Sequence, residues 1–228
     1  MRRKIGISKL DDATHVIGSD EVGWGCMAGP LLVVAAYAPP GWSDSQVTDS
    51  KDLDDAGRRE IYSRYYHDPA FVFAPVLVSV EAIDRMTPAQ ALPWGHRKAI
   101  AECAAMLKKV TSETPVVAVD GSMNIGGVEG FHDILYIPQG DGLVPEISLA
   151  SCIAKVMRDA LMRKASTAFP GYGFERHFGY VTPEHEEALR QLGPCPLHRT
   201  SYSPVARIIA ERNKGEQLQE AWGFDEDE

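Results

Sequence analysis

No stretch of this 228-residue chain is apolar for long enough to cross a bilayer: the longest run, Leu31 to Ala36, falls far short of the roughly 20 residues a spanning helix needs. The basic start Met1-Arg2-Arg3-Lys4 has no apolar segment behind it, so no secretory signal is expected. Cysteine is scarce and scattered. Cys26, Cys103, Cys152 and Cys195 form no CxxC pair and have no histidine at zinc spacing, which argues against both a disulfide framework and a zinc site. A cytoplasmic protein with reduced thiols and no membrane partner is expected. Positive charge is also in short supply. Lys and Arg total 23 against 32 Asp and Glu, a net charge of −9, which speaks against gripping nucleic acid through bulk basic charge. The tail Asp225-Glu226-Asp227-Glu228 carries part of that excess, and the small basic groups Arg58-Arg59, Lys108-Lys109 and Arg163-Lys164 read as solvated helix faces. There is no internal repeat.

What is present is a chain long enough to bury its own core, with 44% hydrophobic and 24% charged residues. Thr14 to Ser19 reads as a strand and, after a Gly-rich turn, Pro30 to Tyr37 as a second, too apolar to face water on either side. Further strands are expected at Phe71 to Val80, Val116 to Val119 and Ile134 to Ile137. Helices are expected at Asp54 to Tyr66, His96 to Val110 (after interruption by Pro93 and Gly95), Leu149 to Lys164, Pro183 to Leu192 and Pro204 to Asn213. Thr182 is an N-cap, with Pro183 in the first turn, and Phe169 to Tyr180 is expected as loop. This order predicts an α/β layered domain with a central mixed five-stranded sheet flanked by helices. The expected division is a domain over 1–205, then a C-terminal helix and acidic tail over 206–228.

Acidic residues stand at the ends of three apolar runs: Asp20-Glu21 after Ile17-Gly18-Ser19, Asp120 after Val116 to Val119, and Asp159 late in a helix. A buried strand does not readily end in two adjacent carboxylates, and such a pair calls for a cation. Phosphodiester hydrolysis needs charge neutralised at both attacking and leaving oxygens, which two divalent ions roughly 3.5–4 Å apart do well. Hard oxygen ligands select Mg2+ or Mn2+ over zinc. Taken singly, each residue also fits a plainer role: a surface pair, an Asp-Gly turn, an aspartate paired with a neighbouring arginine. The Gly23-x-Gly25-x-x-x-Gly29 pattern lies between two strands and opens no helix, so a dinucleotide fold is rejected.

The ordered set of motifs resembles the ribonuclease HII (type 2 ribonuclease H) family over roughly Val16 to Val205. Gly18-Ser19-Asp20-Glu21-Val22-Gly23 is similar to the family's opening motif, Asp49-Ser50-Lys51 to its Asp-Ser-Lys segment, and Asp120-Gly121 to its second carboxylate strand. Ala150-Ser151, Ala154-Lys155-Val156 and Arg158-Asp159 resemble its catalytic helix; Tyr172-Gly173-Phe174, Gly179-Tyr180, Thr182, His185, His198-Arg199 and Ser201 resemble its C-terminal block. The resemblance implies a ribonuclease-H-like fold and an endonuclease cutting the RNA strand of RNA/DNA hybrids, or duplex DNA holding ribonucleotides, to 3′-hydroxyl and 5′-phosphate ends. It implies a two-metal site (Mg2+ or Mn2+) in which Asp20 bridges the ions, Glu21 and Asp120 bind one, and Asp159 holds the other with the attacking water. It places Gly23, Trp24, Gly25, Ser50, Lys51, Ser151, Lys155, Tyr180, His198 and Arg199 at the substrate.

The chain departs from the family where Gly-Arg-Gly is usual: here it is Gly23-Trp24-Gly25, and the first motif is similar to that of ribonuclease HIII. Gln139 and Phe178 stand where lysine is common. Altered single-ribonucleotide junction cleavage is therefore expected, with Trp24 either stacking on a sugar or base or packing against the hairpin, and Tyr180 either stacking on a deoxyribose or buried in the core. The alternative to an active nuclease is a catalytically idle binding or assembly module. A monomer is expected. Trp222-Gly223-Phe224 matches no sliding-clamp motif well, and a frayed tail is the simpler reading there.

Overall fold

Leu31–Tyr37 is buried at all seven positions, and a strand apolar on both faces must be covered on both. The computed structural model describes residues 9–47 and 53–222, the side chains of 216–222 excepted, and shows how. β1 (Val16–Val22), β2 (Leu31–Tyr37), β3 (Val72–Val78), β4 (Val116–Asp120) and β5 (Ile134–Ile137) form one sheet in the order β3-β2-β1-β4-β5. β1, β2 and β3 are antiparallel neighbours, whereas β1 pairs with β4 and β4 with β5 in parallel. This is the mixed five-stranded sheet expected from the sequence. Pro75 is tolerated because β3 lies at the sheet edge.

Helices α1 (Asp55–Tyr65), α2 (Val80–Met86), α3 (Pro88–Leu107), α4 (Pro145–Ala168), α5 (Phe174–His177), α6 (Pro183–Leu192) and α7 (Ser203–Trp222) follow in chain order. One face of the sheet, with Ile17, Leu31, Val33, Val117 and Val119, packs on Leu92, Ala99, Ile100 and Cys103 of α3. The other, with Val22, Leu32, Val34 and Ala36, packs on Leu149, Ala150 and Ile153 of α4 and Ile61 of α1. Each fully buried aliphatic side chain in these layers contributes about 1.5–3 kcal/mol before chain entropy is counted.

Several boundaries differ from the expectation. β1 runs on through Asp20 and Glu21 to Val22, so the acidic pair lies inside the strand. Pro93 and Gly95 lie within α3, which starts at Pro88. Gly95 lies where the helix meets β2: a Cβ there would come within 2.7 Å of Val33 Cγ2. α4 begins at Pro145, which fits a first helical turn, and extends to Ala168. The stretch expected as loop contains α5, and α7 continues to Trp222. Thr182 caps its helix as expected, accepting from His185 N at 3.1 Å, and Asp54, expected as the first helical residue, is instead an N-cap that accepts from Gly57 N at 2.7 Å.

α4 crosses β1 at Gly18, where a Cβ would lie 2.3 Å from the carbonyl carbon of Glu146 and the nitrogen of Ile147. Backbone cannot yield as a side-chain tip can. Gly18→Ala is expected to destabilise the protein by about 1–3 kcal/mol, whereas Gly25→Ala, which meets nothing within 4 Å, stays within about 0.5 kcal/mol. Urea unfolding of the two variants checks this; equal midpoints would contradict it.

Candidate active site

The pleat of β1 decides where its two carboxylates go, because successive side chains point to opposite faces. Ile17, Ser19 and Glu21 share the α3 face; Gly18 and Asp20 share the α4 face. Asp20, 5% exposed, accepts hydrogen bonds from the Ser151 hydroxyl on α4 and from the backbone N–H of Glu21 at 2.7 Å. On the other face, the Glu21 carboxylate lies 3.1 Å from His96 Nε2 of α3, whose Nδ1 lies 2.8 Å from Ser19 Oγ.

β4 runs parallel to β1 with Ser19 opposite Val119, so Asp120 ends its strand beside Asp20. Its Oδ1 accepts from Gly140 N at 2.6 Å. Burial first, then repulsion from Glu21, then from Asp120, raises the Asp20 carboxyl well above its ordinary value; the Ser151 and Glu21 hydrogen bonds oppose this. Burial also raises Asp120, with Asp141 and Glu21 adding repulsion and Gly140 N–H opposing. The shifts follow from crowding like charges away from water.

Asp159, buried on α4, accepts an ion pair from Lys155 Nζ at 2.8 Å. Of the four carboxylates expected at the site, Asp20, Glu21 and Asp120 act on one another, while Asp159 pairs with Lys155. Among the described residues no group of three or more His, Cys, Asp or Glu is placed so that it could hold a metal ion. The donor set nonetheless suits a divalent cation in kind. Its ligands are hard oxygens, and the raised Asp20 carboxyl is the state that a bound cation would reverse.

The neighbouring loop is held by two buried guanidinium groups. Arg158 donates to the carbonyls of Pro30 at 3.0 Å, Phe178 at 2.8 Å and Ala28 at 3.2 Å. Arg199 donates to those of Gly29 at 2.9 Å, Trp24 at 2.8 Å and Gly23 at 2.7 Å. Gly23 has φ +87°, and a Cβ there would lie 2.1 Å from Arg158 Nε, so only glycine serves. Arg199 and His198, expected at the substrate, are both buried: Arg199 ties down the loop, and His198 belongs to a relay behind Tyr180. Cys195 N–H can only donate to His198 Nδ1, at 3.0 Å, and the Tyr180 carbonyl can only accept from His185 Nδ1, at 2.9 Å. His198 Nε2–H therefore donates to His185 Nε2 at 3.2 Å. Burial pushes both imidazoles down to about 4, which keeps them neutral and this order intact.

Trp24 is 40% and Tyr180 39% exposed, so neither ring is a core residue. Trp24 borders a cavity of about 280 Å³ together with Glu21, His96, Asp120, Met123 and Ile125. Lys155 Nζ lies 4.8 Å from the Phe178 ring and 5.9 Å from that of Tyr180, and Arg163 lies 5.3 Å from Phe178. The aromatic at the position where lysine is common thus gathers two cations, Lys155 paired with Asp159 and Arg163 paired with Asp55. Ser50 and Lys51 lie outside the described residues, as do residues 223 and 224 of the terminal segment. Among the described residues no helix is long and apolar enough to cross a membrane. Sequence reasoning missed Ser19 and His96, although a polar residue on the core face of a helix was the available signal. It noted Arg158 only as a motif letter.

The family model described as "Ribonuclease HII" matches residues 17–205. A ribonuclease HII from Salinispora arenicola is 36% identical over 222 residues, covering 93% of this chain and 78% of the relative. One from Chlamydia muridarum is 38% identical over 200 residues, covering 87% and 86%. Among solved structures, ribonuclease H2 from Pyrococcus horikoshii superposes with a TM-score of 0.66 at 22% identity, covering 88% of this chain and 99% of that one. The Mn2+ complex of Bst-RNase HIII superposes with a TM-score of 0.73 at 18% identity, covering 94% and 75%. Those likenesses show the ribonuclease-H-like fold, and the sequence matches show the family. With strand and helix carboxylates in the order its motifs require, the chain belongs to the ribonuclease HII family, the type 2 ribonuclease H endonucleases.

Proposed function

We propose that the chain hydrolyses the RNA strand of RNA/DNA hybrids to 3′-hydroxyl and 5′-phosphate ends, with divalent cations, Mg2+ or Mn2+, held by Asp20, Glu21, Asp120 and Asp159. The observation that carries this is Asp20: a carboxylate buried between Glu21 and Asp120, a cost with no structural return unless a cation enters. When bound, such cations neutralise charge at the attacking and leaving oxygens. The protein's own groups prepare the rest. Ser151 and the Glu21 N–H hold the Asp20 oxygens, Gly140 N–H fixes Asp120, and Lys155 keeps Asp159 from swinging to solvent. The exposed Tyr180 ring, anchored through its carbonyl by His185, offers a face to a sugar.

Trp24 supports altered junction reading. Its carbonyl is clamped by Arg199 while its ring stands exposed at the rim of the carboxylate cavity, where an indole stacks on a base or sugar without reading a 2′-hydroxyl through charge.

Asp20→Asn is expected to reduce cleavage of a continuous hybrid to the level of the buffer blank. Because folding raises the Asp20 carboxyl, the folded state binds that proton more tightly than the unfolded one. Its unfavourable contribution thus grows as pH climbs above the ordinary value of 3.8. Asp20→Asn should therefore raise metal-free stability at neutral pH and flatten its decline with pH, as measured by denaturant titration in chelator. Activity retained in the variant would sink the proposal.

Trp24→Ala is expected to weaken binding of a continuous hybrid by about 1–3 kcal/mol, and Trp24→Arg to raise cleavage of a duplex with one ribonucleotide relative to that hybrid. Fluorescence anisotropy and gel assays test these; unchanged affinity in Trp24→Ala would assign the ring to packing.

A further inference from the structure

His96 occupies a helix position that packing would give to an apolar residue. It lies on the face of α3 that carries Leu92, Ala99, Ile100 and Cys103 into the core, and it is 2% exposed. A polar side chain in such a place is costly unless its polar atoms are satisfied. Both ring nitrogens are: Nδ1 lies 2.8 Å from Ser19 Oγ, and Nε2 3.1 Å from Glu21 Oε2. Since the Glu21 carboxylate only accepts, Nε2 carries the proton and Nδ1 takes the serine hydroxyl hydrogen. Ser19 and Glu21 are two apart on β1, so the pleat turns both toward α3 while Asp20 turns away. The result is a chain of two hydrogen bonds running from a core helix to one carboxylate of the site.

Glu21 needs such an anchor more than its neighbours do. Asp20 and Asp120 take backbone N–H donors from adjoining loop and strand, and both repel Glu21. A glutamate has three rotatable bonds, and the Glu21 side chain is about one-fifth exposed (22%), so repulsion favours swinging its carboxylate into water. We propose that His96 is a positioning residue for Glu21, holding its carboxylate toward the cation site through the Ser19–His96–Glu21 chain. This rests on the divalent-cation reading above. Partners that orient a ligating carboxylate are typically worth about 10–100-fold in metal affinity or activity.

The test compares His96→Met, which fills the core without a donor, with His96→Gln, whose amide N–H reaches where Nε2 stood. Mn2+ uptake is followed by calorimetry, hybrid cleavage by steady-state kinetics, and folding by thermal unfolding. Expected for His96→Met is Mn2+ binding at least about tenfold weaker and a kcat about tenfold lower, with KM for the hybrid within about twofold; His96→Gln should recover most of both. Should His96→Met not fold, Ser19→Ala and His96→Gln carry the test, with Ser19→Ala expected to lose Mn2+ affinity and His96→Gln to keep it. Wild-type Mn2+ affinity and kcat in His96→Met overturn the role, as does an equal loss in both His96 variants accompanied by a lowered unfolding temperature. If the unaltered protein takes up no Mn2+, the cation reading itself falls, and the role with it; uptake by wild type and His96→Met alike overturns the role alone.

Discussion

Parallel pairing of β1 with β4 in a single register is the constraint from which the site follows. With Ser19 opposite Val119, the next step along each strand sets Asp20 beside Asp120, and the pleat sends Glu21 to the opposite face. No loop flexibility relieves that crowding, because both aspartates belong to strands buried under helices. A like-charge cluster held this firmly raises the cost of ionising its members. The tightly packed crossing of α4 at Gly18 adds Ser151, then Lys155 and Asp159 one and two turns further along the same helix. Two rigid contacts thus fix the relative positions of groups that are remote in sequence.

A second layer of the design is cationic and silent at the surface. Arg158 and Arg199 use their donors on carbonyls of the loop that joins β1 to β2 and of the Phe178 segment. A buried charge satisfied by several carbonyls fixes backbone more tightly than apolar contact alone. Through Arg199 and the His198–His185 relay, the C-terminal block anchors the backbone of Trp24 and Tyr180 from inside the protein. The overall negative charge is compatible with this economy, since the cations of the chain include several committed to internal work.

Much of this was legible beforehand. Fully apolar β2, the Thr182-Pro183 helix start and the run ending in Asp120 announced the sheet and its order of elements. What escaped was whatever depends on contact between distant segments. Pro93 and Gly95 look like breakers locally, yet packing of α3 on Val33 carries the helix through them. The Asp-Glu pair reads as a strand end, yet pairing with β2 extends β1 through it. The burial of His198 and Arg199 was likewise hidden, because letters in a motif do not tell a surface cation from a buried one. His96 was invisible as a partner of Glu21 because only the fold brings residues 75 positions apart together.

The central claim, that the fold crowds carboxylates which a divalent cation relieves, is tested most directly by scanning calorimetry of the unaltered protein over a range of Mg2+ and Mn2+ concentrations in the absence of nucleic acid. Binding to the folded state alone raises stability with cation concentration, by about 2.7 kcal/mol at a hundredfold excess over Kd. The expected result is an unfolding temperature that climbs with either ion and reverses on chelation. An unfolding temperature indifferent to both ions would contradict the claim.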